Sequence, residues 1–310
     1  MNHNIQIEYL SPQDAYGYFR SAPHMAQMND REAAYRANLK ITGSCNCTKS
    51  YMKYYYKTKL REFNTSEIQV LSWLVNVTVP ILSSRSRKLI PEKIRFAKLE
   101  SGVDWDFPFT LHKKTDIRDG CIVFTEKYLE QLILDKNQGR NLKEMQNTLV
   151  HEMVHLHQKA NPYFYVGAYK KYFGMQMKHV ELSPEILNQL VTNPDGYDYC
   201  WTISFYLQKG RQIVTFLPVL ILDCHNNLRG MLVELKKSNR TNMLTNNGGK
   251  MIPIDSFPIY KNLYGVQTQL YHPHEIMAQL IAEHVVNNRT YNTIQLQKTN
   301  FYSDLMKILN

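Results

Sequence analysis

The segment Asn147-Thr148-Leu149-Val150-His151-Glu152-Met153-Val154-His155-Leu156-His157 concentrates the chemistry this chain offers. Histidines four apart on an α-helix differ by about 40° in direction and about 6 Å in height, so His151 and His155 can reach one metal ion. Glu152 projects about 100° round the helix from His151, beside such an ion rather than on it. A carboxylate in that place can take the proton of a metal-activated water. The helix itself is expected from about Asn141 to Lys159, because Leu142, Met145, Leu149, Met153 and Leu156 recur at steps of three and four. Each histidine lies two residues past a member of that stripe, about 200° round, so the stripe can face a core and the histidines a cleft. Asn161-Pro162 ends the helix.

His-Glu-x-x-His on a helix resembles the zincin zinc metallopeptidases. His157 departs from their pattern, in which that place is normally hydrophobic. Zinc requires a third protein ligand and an open fourth position. The downstream donors are His157, His179, His225, His272, His274, Glu275 and Glu283. His157 follows His155 by two and points to the wrong face. His179 matches zincins with a third histidine, the SprT-like family among them. The string Pro273-His274-Glu275-Ile276-Met277-Ala278 is similar to the third-ligand helix of the gluzincins, where a glutamate follows a proline by two and precedes an alanine by three.

That second resemblance implies Zn2+ held by His151, His155 and Glu275, with Glu152 as general base, in a metallopeptidase cleaving peptides or proteins, an endopeptidase rather than an exopeptidase. His179 stays open as the third ligand. Glu275 also has a purely structural reading, a first-turn acid complementing the helix dipole behind Pro273. Two departures from the gluzincin pattern stand out: the long gap between His155 and Glu275, and Gln279 in the place of an acid that often orients a histidine. Asp195 and Glu283 are the candidates for that orienting role. The resemblance further implies a tyrosine near the glutamate helix as oxyanion donor. The equivalent place is Thr268, flanked by Tyr264 and Tyr271.

The elements that must position these groups belong to a chain of 310 residues, room for one large domain or two small ones. With 44% apolar residues, wholesale disorder is excluded. No stretch approaches the ~18 uncharged apolar residues of a membrane span, and Met1–Glu8 lacks the apolar core of a secretory leader. Thirty-seven basic against 27 acidic residues give +10, which permits an acidic partner without requiring one. Five scattered cysteines cannot form a complete disulfide framework, and Cys45-Asn46-Cys47 is too tightly spaced for a zinc knuckle. An intracellular, cytoplasmic protein with reduced thiols is expected.

The fold expected is α+β: a mainly helical, basic region over 1–90 and a zincin-like metallopeptidase domain over 91–310 with a small antiparallel insertion. Ser83–Lys88, closed by Pro91, is the most linker-like stretch. Ser66–Val79 suits a helix or a strand. Phe107–Leu111 and Gly120–Thr125 read as strands, and Gly120–Thr125 is the candidate to edge a substrate cleft. Glu126–Asp135, Tyr163–Phe173, Pro184–Val191 and Pro273–Asn288 read as helices. Cys200–Leu207, Gln212–Asp223 and Gly230–Lys236, separated by turns, read as three successive antiparallel strands.

Two further function classes compete with a peptidase. One is a binding or structural protein on a metalloprotease scaffold. The other is a nucleic-acid-associated, SprT-like protease, suggested by the +10 charge and the basic N-terminal part, where the interleaved lysines and tyrosines of Lys49–Arg61 could stack bases and neutralise phosphates. The same segment also suits a solvated helix face with tyrosines half-buried beneath lysine stems.

Overall fold

The computed structural model describes residues 5–39, 49–113, 116–196, 200–207, 212–238, 243–246, 249–264, 271–291, 293, 296 and 299–310. Within them the chain is α+β, and its contacts divide it into two compact units. The first holds Met1–Asn161, Ala278–Thr290 and Tyr302–Asn310; the second holds Pro162–Met277 and Tyr291–Phe301.

In chain order the first unit contains β1 (Gln6–Tyr9), α1 (Pro12–Ser21), α2 (His24–Gln27), α3 (Asp30–Arg36), α4 (Lys49–Lys59), α5 (Thr65–Arg85), β2 (Lys93–Leu99), β3 (Phe109–Lys113), β4 (Asp116–Thr125), α6 (Glu126–Asn137) and α7 (Leu142–Ala160). The strands form one sheet in the order β1-β2-β4-β3. β1, β2 and β4 run parallel, and β3 is antiparallel to β4. Gly120–Thr125 therefore lies inside the sheet and not at its edge; the end position beside it belongs to β3. The cause is β2, a strand whose three cations in Lys93-Ile94-Arg95-Phe96-Ala97-Lys98-Leu99 mask its apolar residues. Lys98 is nevertheless buried, because Glu67 neutralises its Nζ at 2.9 Å.

Residues before 90 contribute more than helices, since β1 pairs with β2 from Gln6↔Lys93 to Tyr9↔Phe96. The ambiguous Ser66–Val79 is helical within α5, started by a capping box in which Asn64 and Glu67 satisfy each other's backbone N–H groups. The serine- and arginine-rich stretch that reads as a linker is the last turn of α5 and a 3-10 turn over Arg87–Leu89, with Ser86 and Leu89 buried.

The second unit begins with α8 (Pro162–Ala168), which continues as a π-helical turn over Tyr169–Phe173. Then come β5 (Gln176–Met177), β6 (Val180–Glu181), α9 (Pro184–Leu187), β7 (Trp201–Leu207), β8 (Gln212–Leu222), β9 (Leu228–Lys237), β10 (Leu244–Thr245), β11 (Met251–Pro253) and α10 (Pro258–Tyr264). α11 (Pro273–Asn287) has its first turn in this unit and belongs to the first unit from Ala278, as does all but the first residue of α12 (Phe301–Leu309), which closes the chain. β7, β8 and β9 form the expected antiparallel meander, with register Tyr206↔Ile213 and Leu217↔Val233. Its covered face packs Leu217, Val219, Val233 and Leu235 against Ile186 and Leu190. No helix among the described residues is long and apolar enough to cross a membrane.

Candidate metal centre

Helix α7 forms where the apolar periodicity places it, and Met145, Leu149 and Met153 of its stripe are buried. The sheet approaches this helix closely at one point. A Cβ on Gly120 of β4 would lie 2.6 Å from Leu156 Cδ2 and 2.6 Å from His112 Cε1, so only glycine lets the strand in. Gln146 ties α7 to α5 by donating to the Val77 carbonyl at 2.9 Å. Opposite the stripe, His151 and His155 are not cleft-lining surface groups: they are 8% and 0% exposed, and Glu152 is 4% exposed. Both faces of this stretch are covered, so three ionisable groups sit in a low-dielectric interior.

His155 Nδ1 lies 2.8 Å from Gln158 Oε1. An amide oxygen only accepts, so Nδ1 carries the hydrogen and Nε2 keeps the lone pair that a metal needs. The Nε2 atoms of His155 and His151 face each other at 2.9 Å. Glu275 lies in the first turn of α11, behind Pro273, and is 2% exposed. One ligand atom from each of His151, His155 and Glu275 falls within 4.8 Å of the others, so the three form a buried group able to hold a metal ion. Two imidazole nitrogens and one carboxylate oxygen are a donor set that suits zinc and similar divalent ions.

His179 is exposed, and its backbone carbonyl accepts from Leu244 N at 3.2 Å. His225 is exposed in the turn after β8. Burial, helped by Lys88, pushes His157 down to about 4. Glu283 accepts from Gln279 and Asn287 of its own helix instead of orienting a histidine. Asp195 is buried, and its backbone N–H donates to Asn193 Oδ1 at 3.0 Å. Tyr264 is wholly buried, and its hydroxyl donates to the Phe173 carbonyl at 3.1 Å, which uses its single hydrogen for packing. Tyr271 Oη accepts from Asn193 Nδ2 at 2.8 Å. Thr268 and the Cys45–Cys47 pair lie outside the described residues; Cys121 and Cys224 are free thiols.

Two orienting residues escaped sequence reasoning. Gln158, which holds His155, sits three residues on along the same helix, and that spacing alone was a usable signal. Asn193 donates from its side-chain amide to Glu275 Oε1 across 82 residues of chain, a distance no local pattern spans. The surroundings of Glu275 are aromatic. His274 meets Tyr169 edge-on at 5.2 Å, and burial raises the Tyr169 phenol well above its ordinary value, with Tyr165 and the Glu275 charge adding to the effect. Burial also pushes the Tyr128 phenol up to about 12; Thr148 opposes that shift and the Glu152 charge supports it.

In the basic, tyrosine-rich α4, Lys57 Nζ lies 5.8 Å from the Tyr16 ring centroid, and Lys59 Nζ lies 5.7 Å from that of Tyr55 and 2.7 Å from Glu100. Tyr56 is buried with its hydroxyl on Asp104 at 3.0 Å. Tyr51 and Tyr54 remain exposed.

Comparison with protein-family models, with curated proteins and with solved structures finds no match.

Proposed function

We propose that this chain is a zinc-dependent peptidase of the zincin kind, most like the gluzincins, cleaving peptide bonds with Glu152 as general base. One observation carries the reading: His151, His155 and Glu275 bring their ligand atoms within 4.8 Å of one another, with a buried acid next to the first of them in sequence. A divalent ion bound there supplies a Lewis acid, which lowers the pKa of water toward neutrality and polarises a carbonyl. Glu152, one residue from His151, takes the proton as water attacks the scissile carbonyl and delivers it to the leaving amine. Tyr271 serves as oxyanion donor, its hydroxyl oxygen held by the Asn193 amide at 2.8 Å. β3, at the end of the sheet, takes over the substrate-aligning role expected of Gly120–Thr125.

Metal content tests the centre, and a catalytic variant tests the chemistry. Purified protein is expected to hold about one zinc per chain. Glu275→Ala should lose most of it and His179→Ala none; zinc lost only from the histidine variant reassigns the third ligand. Glu152→Gln should keep its zinc and lose peptide cleavage by roughly a hundredfold or more. Cleavage at the wild-type rate in that variant removes Glu152 as the base. Wild-type protein that takes up no metal removes the reading.

A further inference from the structure

Asn193 stands at the first position of Asn193-Pro194-Asp195-Gly196, a turn that neither the ligand spacing nor the general-base assignment uses. Its side chain makes three bonds, and each atom has one compatible role. Oδ1 accepts the Asp195 backbone N–H at 3.0 Å, closing an Asx turn. That bond sets the orientation of the amide, so Nδ2 must face the other way. Its two hydrogens go to Glu275 Oε1 and to Tyr271 Oη. The turn is also pressed onto the ligand-bearing segment at its far end. A Cβ on Gly196 would lie 2.3 Å from His272 Nδ1 and 2.6 Å from His272 Cε1. Gly196 N closes the turn on the Asn193 carbonyl at 3.1 Å. One four-residue turn thus touches Tyr271, His272 and Glu275.

We infer that Asn193 is the positioning residue of the metal centre: its amide holds one Glu275 oxygen, and thereby sets how that carboxylate is presented beside the two imidazoles. The inference rests on the metal-site reading above. A carboxylate has four lone-pair directions and rotates about its last torsion, so a buried glutamate with one oxygen tied by an amide N–H has fewer ways to offer the other. The hold is specific to an amide. Asn193→Asp would set a second carboxylate against Glu275, replacing a donor with a like charge. The bond to Tyr271 makes the same residue responsible for where that hydroxyl sits, so the ligand and the proposed oxyanion donor share one anchor.

The test uses the whole 310-residue chain loaded with zinc or cobalt. Asn193→Ser is the informative variant, because serine keeps an oxygen for the Asp195 N–H but is too short to reach Glu275. Zinc affinity, read by competition with a chelator, should fall about 10–100-fold, the usual cost of losing an orienting partner. The visible absorption of the cobalt form should change in position or intensity, since it reports ligand arrangement and not overall folding. Gly196→Ala should weaken the metal as well, by pushing the turn off His272 with the amide intact. Tyr271→Phe should leave affinity within a few-fold of wild type. If wild type binds metal and Asn193→Ser shows unchanged affinity and cobalt spectrum, Asn193 is not a positioning residue, while the peptidase reading stands. If wild type binds no metal, the peptidase reading falls and takes this inference with it. Should Asn193→Ser fail to fold, Asn193→Asp decides: wild-type affinity and spectrum with a carboxylate at 193 overturn the inference.

Discussion

Gln158 shows how much of a candidate metal site lies outside the residues that could hold the ion. Its amide oxygen accepts from His155 Nδ1 and so orients that ring, three residues away on the same helix. Gln158→Leu is expected to lower zinc affinity by roughly tenfold or more with the helix intact; equal chelator-competition curves for variant and wild type would contradict this. At this scale the sequence was partly legible. His151, Glu152 and His155 announce themselves, because one helix carries all three and helical geometry is local. Glu275 was readable only through a two-part pattern of proline and alanine. Tyr264 and Tyr271 looked equivalent from the sequence, and their hydroxyl partners separate them: one donates to a backbone carbonyl and the other is held by Asn193.

Elements depend on caps and close approaches that can be tested one at a time. α5 begins with a reciprocal capping box, so Asn64→Ala is expected to cost about 1 kcal/mol of stability, seen as a lower midpoint in chemical denaturation. Gly120→Ala acts differently. Its new methyl would press on the His112 and Leu156 side chains, which must shift in a packed interior, and is expected to cost about 1–3 kcal/mol. Because α7 carries the histidines, the same variant should also weaken zinc binding; lost stability with unchanged affinity would show that the helix moves as a rigid body. The helices and the meander were legible, since their periodicity is continuous over many residues. β2 was not, because three cations interrupt its apolar pattern and only the distant Glu67 makes Lys98 tolerable inside.

Across the whole molecule, stability rests on buried polar groups as well as apolar packing. Arg36 is wholly buried between Glu32 at 2.8 Å and Asp104 at 2.6 Å, and Tyr56 also bonds Asp104. Burial works against its charge, and the two carboxylates outweigh that. Removing one partner leaves an uncompensated buried charge, so Arg36→Ala is expected to cost about 3–5 kcal/mol, read by denaturant unfolding. Acid sensitivity follows from histidines. Burial, then Arg36 and Lys159, holds His24 well below its ordinary value, and burial lowers His284 too. A histidine whose folded value is depressed binds its proton more readily when unfolded, so its contribution is complete above about pH 6.5 and is lost as pH falls below it. Thermal stability is therefore expected to drop as pH falls below about 6.5, with His24 contributing to the loss. His24→Leu should flatten that drop; an unchanged slope would assign the loss to other groups.

The amino-acid order by itself determined what repeats locally: the α7 stripe, the pair of imidazoles one turn apart with an acid beside them, the alternating strands of the meander, and the Pro273 start of α11. Each follows from helical or strand geometry over a few residues, which tertiary contacts did not override. Only the tertiary structure decided what depends on distant partners. Long-range contacts placed β4 inside its sheet, buried the imidazole pair and set Asn193 against the Glu275 carboxylate. Those outcomes turn on which surfaces exclude water together, a property of the folded chain and of no single segment.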